Sequence, residues 1–262
     1  MSAQGLGEFH GRHAVVTGGS GGIGAVIAAA LVAKGARVSI LGRNPTTLDT
    51  TAREIGSVDV ISGFAADITQ PRSLREGIAQ ASDRYGAVYY LINSAGQATS
   101  APFHRTDEDL WRRMLEVNLT GTYHCIQAVL PGMQQRNEGR IVNIVSTAGL
   151  KGYPYVTAYA AAKHGVVGLT RALAMELAKT QITVNAVCPA YTDTAIVQDA
   201  LENIVAKTGR SLADALVALL SGSPQQRLIE PDEIAATVLW LCSHQARSIT
   251  GQSIALAGGE IM

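Results

Sequence analysis

Ser146, Tyr159 and Lys163 are the side chains whose types and spacing suit proton transfer to or from a carbonyl oxygen. Tyr159 and Lys163 are four residues apart, so on a helix they share a face, one turn from each other. The Ala-rich segment that carries them continues at helical spacing through Val166, Val167, Leu169 and Leu173. Ser146 follows an apolar run, Arg140 to Val145, that reads as a buried strand; a hydroxyl at that strand's end can meet the other two in space. A phenol, with an ordinary pKa of about 10, is too weak an acid at neutral pH. A neighbouring ammonium favours the phenolate and brings the group toward a useful range. Tyr and Lys at this spacing also occur on helices with no such role, so the pair needs a setting.

The first half of the chain supplies one. Ala14-Val15-Val16 reads as a short strand, followed by T-G-G-S-G-G-I-G from Thr17 to Gly24 and then a helix, Ile23 to Lys34. Strand, glycine turn and helix in this order favour a dinucleotide site over a purely structural turn. Gly18 allows the tight turn, Gly22 lets the backbone approach a pyrophosphate at the helix N-terminus, and Gly24 permits close packing of helix on strand. Ser20 and Ile23 lie in the same turn. The second strand, Val38 to Leu41, ends in Gly42-Arg43-Asn44. A free ribose 2′-hydroxyl is usually met here by an acid and a 2′-phosphate by an Arg, so Arg43 favours NADP(H) over NAD(H). Stacking on the adenine and a solvated surface position are its other readings.

A helix over Pro45–Ile55 and a strand over Val58–Ser62 precede Ala66-Asp67-Ile68. Asp67 there either accepts from an adenine amino group or caps the helix that Pro71 opens. That helix runs to Tyr85, and a strand over Val88–Ile92 ends in Asn93-Ser94-Ala95-Gly96, small residues that let the chain pass close to a ligand. The order β-α-β-α-β-α-β predicts an α/β fold with a doubly wound parallel sheet of about seven strands. The glycine turn, Arg43, Asp67, Asn93 and Ser146 all fall at the carboxyl ends of strands, where such sheets bind ligands.

In the second half, Thr106–Val117 and Leu119–Gln135 read as one long helical region with Asn118 in its middle. Asn competes for backbone hydrogen bonds, so it marks a kink that frees a carbonyl or orders a water, or else is a tolerated polar residue. A strand over Ile182–Val187 leads to Cys188-Pro189-Ala190-Tyr191-Thr192-Asp193-Thr194. Two apolar helical stripes follow, Ile196, Leu201, Ile204, Val205 and then Leu212, Leu216, Leu219, Leu220, broken at Gly209 and at Ser221-Gly222-Ser223-Pro224. They predict a small helical lid at about 194–223; extra core or a subunit contact is the competing reading. A helix from Pro231 to about Cys242 and a strand over Ser253–Leu256 complete the chain.

The 262 residues hold 47% hydrophobic and 16% charged residues, enough for one large core and too apolar for disorder. No linker divides them, so a single domain is expected over 12–262, behind a short mobile tail at 1–11. Lys and Arg together number 21, as do Asp and Glu, and a net charge of zero argues against a nucleic-acid binder. Cys125, Cys188 and Cys242 match no metal spacing and read as buried thiols of a reducing compartment; Cys188 lies beside an expected cofactor strand end, with core packing its favoured role. The N-terminus lacks the basic and apolar regions of a secretory signal, and the longest apolar stretch, Ile23 to Ala33, is too short for a bilayer. The expectation is a cytoplasmic protein with no membrane contact.

From about Arg12 to Gly259 the sequence resembles the short-chain dehydrogenase/reductase family. The residues that carry the resemblance are Thr17-Gly18, Gly22-Ile23-Gly24, Asp67, Asn93, Ala95-Gly96, Asn118, Ser146, Tyr159, Lys163, Asn185 and Pro189. The resemblance implies a Rossmann-type fold and a catalytic set of Asn118, Ser146, Tyr159 and Lys163. It implies a dinucleotide held by Gly18, Ser20, Gly22, Ile23, Gly24, Arg43, Asp67, Ile68, Asn93, Ala95, Tyr159 and Lys163. It also implies a nicotinamide held by Pro189, Thr192 and Thr194. Ala190 departs from the usual Gly and would restrict the backbone if a positive φ were needed there; Thr192 departs from the usual Val or Ile.

The implied reaction is hydride transfer between a nicotinamide and a ketone or secondary alcohol, with no metal. Tyr159 gives its proton to the alkoxide, Ser146 hydrogen-bonds the same oxygen, Lys163 lowers the phenol's pKa and binds the ribose, and Asn118 holds a water. Gln97, Ser146, Lys151, Tyr153, Tyr155, Tyr159, Tyr191 and Leu201 are the expected substrate contacts, with Lys151 pairing a substrate anion or simply exposed. The lid, with Ser221–Arg227 leading into Glu230-Pro231, is similar to those of 3-hydroxybutyrate dehydrogenases and 3-oxoacyl thioester reductases. A 3-oxoacyl or 3-hydroxyacyl thioester is the first substrate expectation; a small free hydroxy acid, alcohol or ketone is the second. A cofactor-binding subunit without catalysis is the reading from another class. The resemblance further implies a homotetramer, with the helices after Leu119 and Val156 and the last strand at interfaces.

Overall fold

The structure is a computed structural model that describes residues 7–261, apart from the Ile196 side chain. Seven strands form one parallel sheet: β1 (His13–Thr17), β2 (Arg37–Gly42), β3 (Ile61–Ala65), β4 (Val88–Asn93), β5 (Glu138–Ile144), β6 (Gln181–Pro189) and β7 (Ser253–Leu256). Their order, β3-β2-β1-β4-β5-β6-β7, reverses between β1 and β4. A crevice at such a reversal, outside the carboxyl ends of the strands, is where doubly wound sheets bind ligands.

Both faces of the sheet are buried, and the strand sequences show why. On β1, Ala14 and Val16 join one core with Ile27, Ala28 and Leu31 of helix α1 (Gly22–Ala33), Leu48 and Ala52 of α2 (Pro45–Ile55) and Ile234 and Val238 of α9 (Pro231–Cys242). Val15 joins the opposite core, with Leu74 and Ile78 of α3 (Pro71–Tyr85), Ile126 and Met133 of α5 (Gly121–Arg136) and Leu173 of α6 (Thr157–Glu176). Apolar residues at successive strand positions therefore serve alternate faces, as a sheet covered by helices on both sides requires.

Three boundaries differ from the sequence reading. The third strand starts at Ile61, not Val58, because the Ser57 carbonyl accepts from the N–H groups of Val60 and Ile61 and turns the chain first. Its second half contains Gly63, where a side chain would run into Leu48, so the apolar pattern fades where the strand continues. The expected tail is shorter: Phe9 is buried against Tyr90, with ring centroids 5.3 Å apart, and the Glu8 carboxylate accepts from the His244 N–H at 2.6 Å. Residues 1–6 of that tail lie outside the described residues. Finally, the long helical region divides into α4 (Glu108–Leu115), one π-helical turn (Glu116–Thr120) and α5, with Gly121 N–H donating to Glu116 C=O. Asn118 sits inside that turn, where the α-helical ladder of hydrogen bonds is interrupted.

The insertion after β6 holds α7 (Ala195–Thr208) and α8 (Leu212–Leu220). It has its own small core of Val197, Leu201 and Ala215, joined by Tyr191 and Leu228. Its two ends are fastened together: Asp193 N–H donates to Ile229 C=O at 3.0 Å and Ile229 N–H to Tyr191 C=O at 2.8 Å. Among the described residues, no group of three or more His, Cys, Asp or Glu could hold a metal ion, and no helix is long and apolar enough to cross a membrane. All three cysteines are free and buried.

Candidate active site

The glycine turn between β1 and α1 is built by close approach. Gly18 has φ +67° and lies so near β4's end that a Cβ would fall 2.8 Å from the Ala95 Cα. A Cβ on Gly24 would strike the Gly18 carbonyl, so only glycine lets α1 start this close to β1. The α1 N-terminus has no side-chain cap and no acid in its first turn, leaving its N–H groups to a ligand with negative charge. Thr194, from the loop after β6, stands across from Gly22, its methyl 3.7 Å from where a Gly22 Cβ would be. This cradle fits a pyrophosphate. Thr17, to which the sequence reading gave no role of its own, accepts from the N–H groups of Ser94 and Ala95, both at 3.1 Å, and so joins the glycine turn to the end of β4.

At the end of β2, Gly42 has the Ser20 hydroxyl beside it, 3.6 Å from a Cβ built there, and Arg43 is exposed and makes no ion pair among the described residues. No acid stands at this strand end. Asp67 does not cap α3, whose N-cap is Gln70; its Oδ1 accepts from Thr69 N–H and Oγ1–H, which fixes a turn past β3. Ile68 is buried against Gly121. Asn93 is 3% exposed; its amide N–H donates to Asn143 Oδ1 at 2.8 Å, and its own Oδ1 has no hydrogen-bond partner among the described residues. Asn143 in turn donates to the Thr170 hydroxyl of α6 at 2.9 Å. Ala190 has no positive φ and donates its N–H to Leu256 C=O, so the departure from Gly carries no backbone strain.

Ser146 stands two residues past the end of β5 and opens a single 3₁₀ turn, Thr147–Gly149, its Oγ accepting from Ala148 N–H at 3.1 Å. The same hydroxyl faces the Tyr159 phenol closely enough to pull its pKa down. Lys163 is 5% exposed; its Nζ donates to Ile144 C=O at 3.0 Å and lies 5.6 Å from the centre of the Tyr159 ring. The three groups singled out in the sequence therefore meet at one point. Gly96 passes close over them, with a Cβ there falling 2.9 Å from Asn118 Oδ1 and 3.6 Å from Lys163 Nζ. Asn118 is fully buried and spends both amide protons, on Gln97 C=O at 2.9 Å and Met114 C=O at 3.0 Å. Its Oδ1 accepts from Gln97 N–H at 3.2 Å, so it fastens the Gln97 backbone.

The electrostatics depart from expectation. Burial pushes Tyr159 up to about 12, against the opposing pull of the Ser146 hydroxyl. Burial also lowers Lys163 to about 8. The ammonium was expected to bring the phenol down, but desolvation of a charged form is the larger effect for both groups. At neutral pH the site holds a neutral phenol beside a protonated lysine, the state in which Tyr159 can give a proton away.

The expected substrate wall is rearranged. Lys151 does not stand free: its Nζ is 2.8 Å from Glu260 Oε1, with side-chain exposures of 39% and 4%. Tyr153 donates its one proton to the same Glu260 oxygen at 2.6 Å and meets the Thr147 hydroxyl at 2.7 Å, and its pKa is raised by burial and then by that carboxylate. Tyr191 is half-buried, its ring edge-on to Tyr153 at 6.4 Å. Tyr155 holds φ +68° on the exposed rim, its carbonyl accepting from Ala101 N–H. Leu201 is buried in the lid's core and does not line the entrance. Glu260 lies more than a hundred residues from its partners, and no local pattern marks it.

The family model for short chain dehydrogenases matches residues 12–204. The chain is 39% identical over 251 residues to an acetoacetyl-CoA reductase of Shinella zoogloeoides, covering 95% of this chain and 98% of the relative. It is 32% identical to a D-beta-hydroxybutyrate dehydrogenase of Rhizobium meliloti, again covering 95% and 98%. An actinorhodin polyketide ketoreductase variant crystallised with NADPH superposes with a TM-score of 0.91 at 36% identity, covering 95% of this chain and 97% of the other. The chain belongs to the short-chain dehydrogenase family and is an oxidoreductase of that family.

Proposed function

We propose that this protein is an NADP(H)-preferring reductase of 3-oxoacyl thioesters, working reversibly on the 3-hydroxy products. The observation that carries the reading is the meeting of Ser146, Tyr159 and Lys163 at the end of β5, beside the glycine turn and Thr194. When bound, the nicotinamide supplies or takes the hydride at the carbonyl carbon. The cradle of Gly18, Ser20, Gly22, Ile23 and Gly24 holds the pyrophosphate side, and Arg43 beside Ser20 suits a 2′-phosphate. Asp67, Ile68 and Ala95 border the adenosine half, and Pro189, Thr192 and Thr194 the nicotinamide half.

Tyr159, neutral at pH 7, donates its proton to the oxygen that gains charge. Ser146 donates a hydrogen bond to the same oxygen, stabilising it as the charge develops. Lys163, still protonated at neutral pH, steadies the phenolate that remains and offers its ammonium to a ribose hydroxyl. Asn118 orders a water through its remaining Oδ1 lone pair or its backbone carbonyl, linking Lys163 to solvent. Gln97 and Tyr191 border the acyl group.

The relatives named above act on acetoacetyl-CoA and on D-beta-hydroxybutyrate, which supports a four-carbon 3-oxo or 3-hydroxy unit and keeps the free acid as the second reading. Matched assays of NADPH and NADH oxidation with acetoacetyl-CoA test the proposal. Fast NADPH oxidation is expected. Activity with NADH alone overturns the cofactor preference, and silence with both overturns the thioester reading. We also propose a cytoplasmic homotetramer. The free buried thiols suit a reducing compartment, and β7 is a sheet edge beside Met175 of α6, which is 78% exposed. Light scattering on the purified protein checks the assembly.

A further inference from the structure

Glu260 is a carboxylate at 4% side-chain exposure, in a place the reaction does not require. Burying a carboxylate is costly unless it is paired and hydrogen-bonded. Here it takes the Lys151 ammonium at 2.8 Å and the Tyr153 hydroxyl at 2.6 Å. Both partners belong to the segment that starts at Ser146, and Lys151 N–H donates to Thr147 C=O within it. The Lys151 ammonium also stands 4.8 Å from the centre of the Tyr153 ring. Tyr153 reaches Thr147, next to Ser146, on one side and Tyr191, at the root of the lid, on the other. The carboxylate touches the lid's exit as well: Glu260 Oε1 is 3.7 Å from where a Gly222 Cβ would be. The cluster therefore links the turn that carries Ser146 to the root and the exit of the lid, as one wall.

We infer that Glu260 is a specificity-determining residue. It claims Lys151, the cation on the segment that leaves Ser146, and sets a buried negative charge behind the wall. The cleft then takes 3-oxoacyl groups whose carboxyl carbon is capped as a thioester or ester. A free 3-oxo acid meets a cation already neutralised and a second carboxylate close behind it, and is turned away. This rests on the proposed thioester reading and deepens it, since it names what separates the thioester from the free acid.

The test compares kcat/KM for the neutral N-acetylcysteamine thioester of acetoacetate with that for acetoacetate, using NADPH. The wild-type protein reduces the thioester and strongly disfavours the acid. Glu260→Gln keeps the shape and hydrogen bonds but releases the Lys151 charge. It is expected to raise kcat/KM for acetoacetate at least tenfold, through KM, while the thioester changes less than threefold. The gain disappears when Lys151→Met is added. No gain in Glu260→Gln, or a gain that survives in the double variant, overturns the inference. If Glu260→Gln does not fold by circular dichroism, Lys151→Met alone is read instead: it leaves the carboxylate unneutralised, so discrimination against acetoacetate must grow. Discrimination that stays constant or shrinks overturns the inference. A wild type that reduces neither compound overturns the thioester reading itself, a result distinct from an unchanged ratio.

Discussion

Gly149 lies against α6 so closely that a Cβ on it would fall 2.9 Å from the Lys163 carbonyl oxygen and 2.6 Å from a Val145 methyl. The turn that carries Ser146 is thereby pressed onto the helix that carries Tyr159 and Lys163. Gly149→Ala must push the two apart, because the obstacle on one side is backbone. A displacement of about 1 Å between reacting groups costs on the order of 10²-fold in rate. The expected result is a loss of that size in kcat, with a dinucleotide Kd within threefold of wild type by fluorescence titration. Unchanged kcat would mean that the turn relaxes without moving Ser146.

The proton inventory of the site gives a pH dependence. Lys163 is lowered from 10.5 to about 8 and Tyr159 raised from 10 to about 12, both by burial. Below pH 8 the site has its phenol proton and its ammonium together. Above it the ammonium is lost first, while Tyr159 remains protonated. Reduction is expected to keep a level kcat/KM up to about pH 8 and then to decline, the free enzyme being what this ratio reports. Tyr159→Phe is expected to lose about 10²–10⁴-fold or more in turnover with dinucleotide binding retained. Substantial residual turnover would remove Tyr159 from its assigned role.

The parts of this molecule that were legible in the sequence are those in which a local rule acts. The strand, glycine turn and helix from Ala14 to Lys34 can be read because steric demands act between near neighbours, as Gly24 against Gly18 shows. Tyr159 and Lys163 can be paired because helical spacing brings them together. The third strand was placed too early because the turn at Ser57 leaves no mark in the apolar pattern, and its end was missed because Gly63 contributes no apolar side chain, although Leu48 needs that space. The Asn93–Asn143–Thr170 chain and the Glu260 cluster were not legible, because each joins elements far apart in sequence through one polar atom apiece. Lys151 shows the consequence: its type and position suggested a ligand for substrate anions, and only the folded chain reveals the carboxylate that already holds it.

Arg43 allows a direct test of cofactor preference. It is exposed beside Ser20, and a charge-assisted hydrogen bond to a phosphate contributes about 1.5–3 kcal/mol. Arg43→Asp removes that contribution and adds an acid able to take a 2′-hydroxyl. KM for NADPH is expected to rise roughly 10- to 100-fold, while KM for NADH falls or holds, with kcat little changed for the preferred cofactor. Equal effects on both cofactors would show Arg43 stacking on the adenine instead.

His13 sets an acid limit on stability that is separate from catalysis. It is 1% exposed on β1, with Nδ1 2.8 Å from Gly86 O and Nε2 2.8 Å from Ser39 Oγ. A carbonyl only accepts, so Nδ1 carries the proton and Nε2 accepts from the Ser39 hydroxyl. The imidazole is therefore satisfied when neutral, and burial lowers its pKa from 6.5 to about 4. Between these values the unfolded chain binds a proton that the folded one refuses, so stability falls as pH drops through this window. From pH 6.5 to 4.5 the loss from this one group is about 2 kcal/mol, at about 1.4 kcal/mol per pH unit. Glu233 acts lower: held near 2 by Arg227 and by the Glu230 N–H, it gives up its contribution only as pH falls below the ordinary carboxylate range. Urea unfolding at pH 6.5 and 4.5 separates the two groups. His13→Gln, which keeps an amide donor and acceptor but does not titrate, is expected to be less stable at pH 6.5 and to lose about 2 kcal/mol less than wild type on going to pH 4.5. Equal losses in the two proteins would place the acid limit elsewhere in the fold.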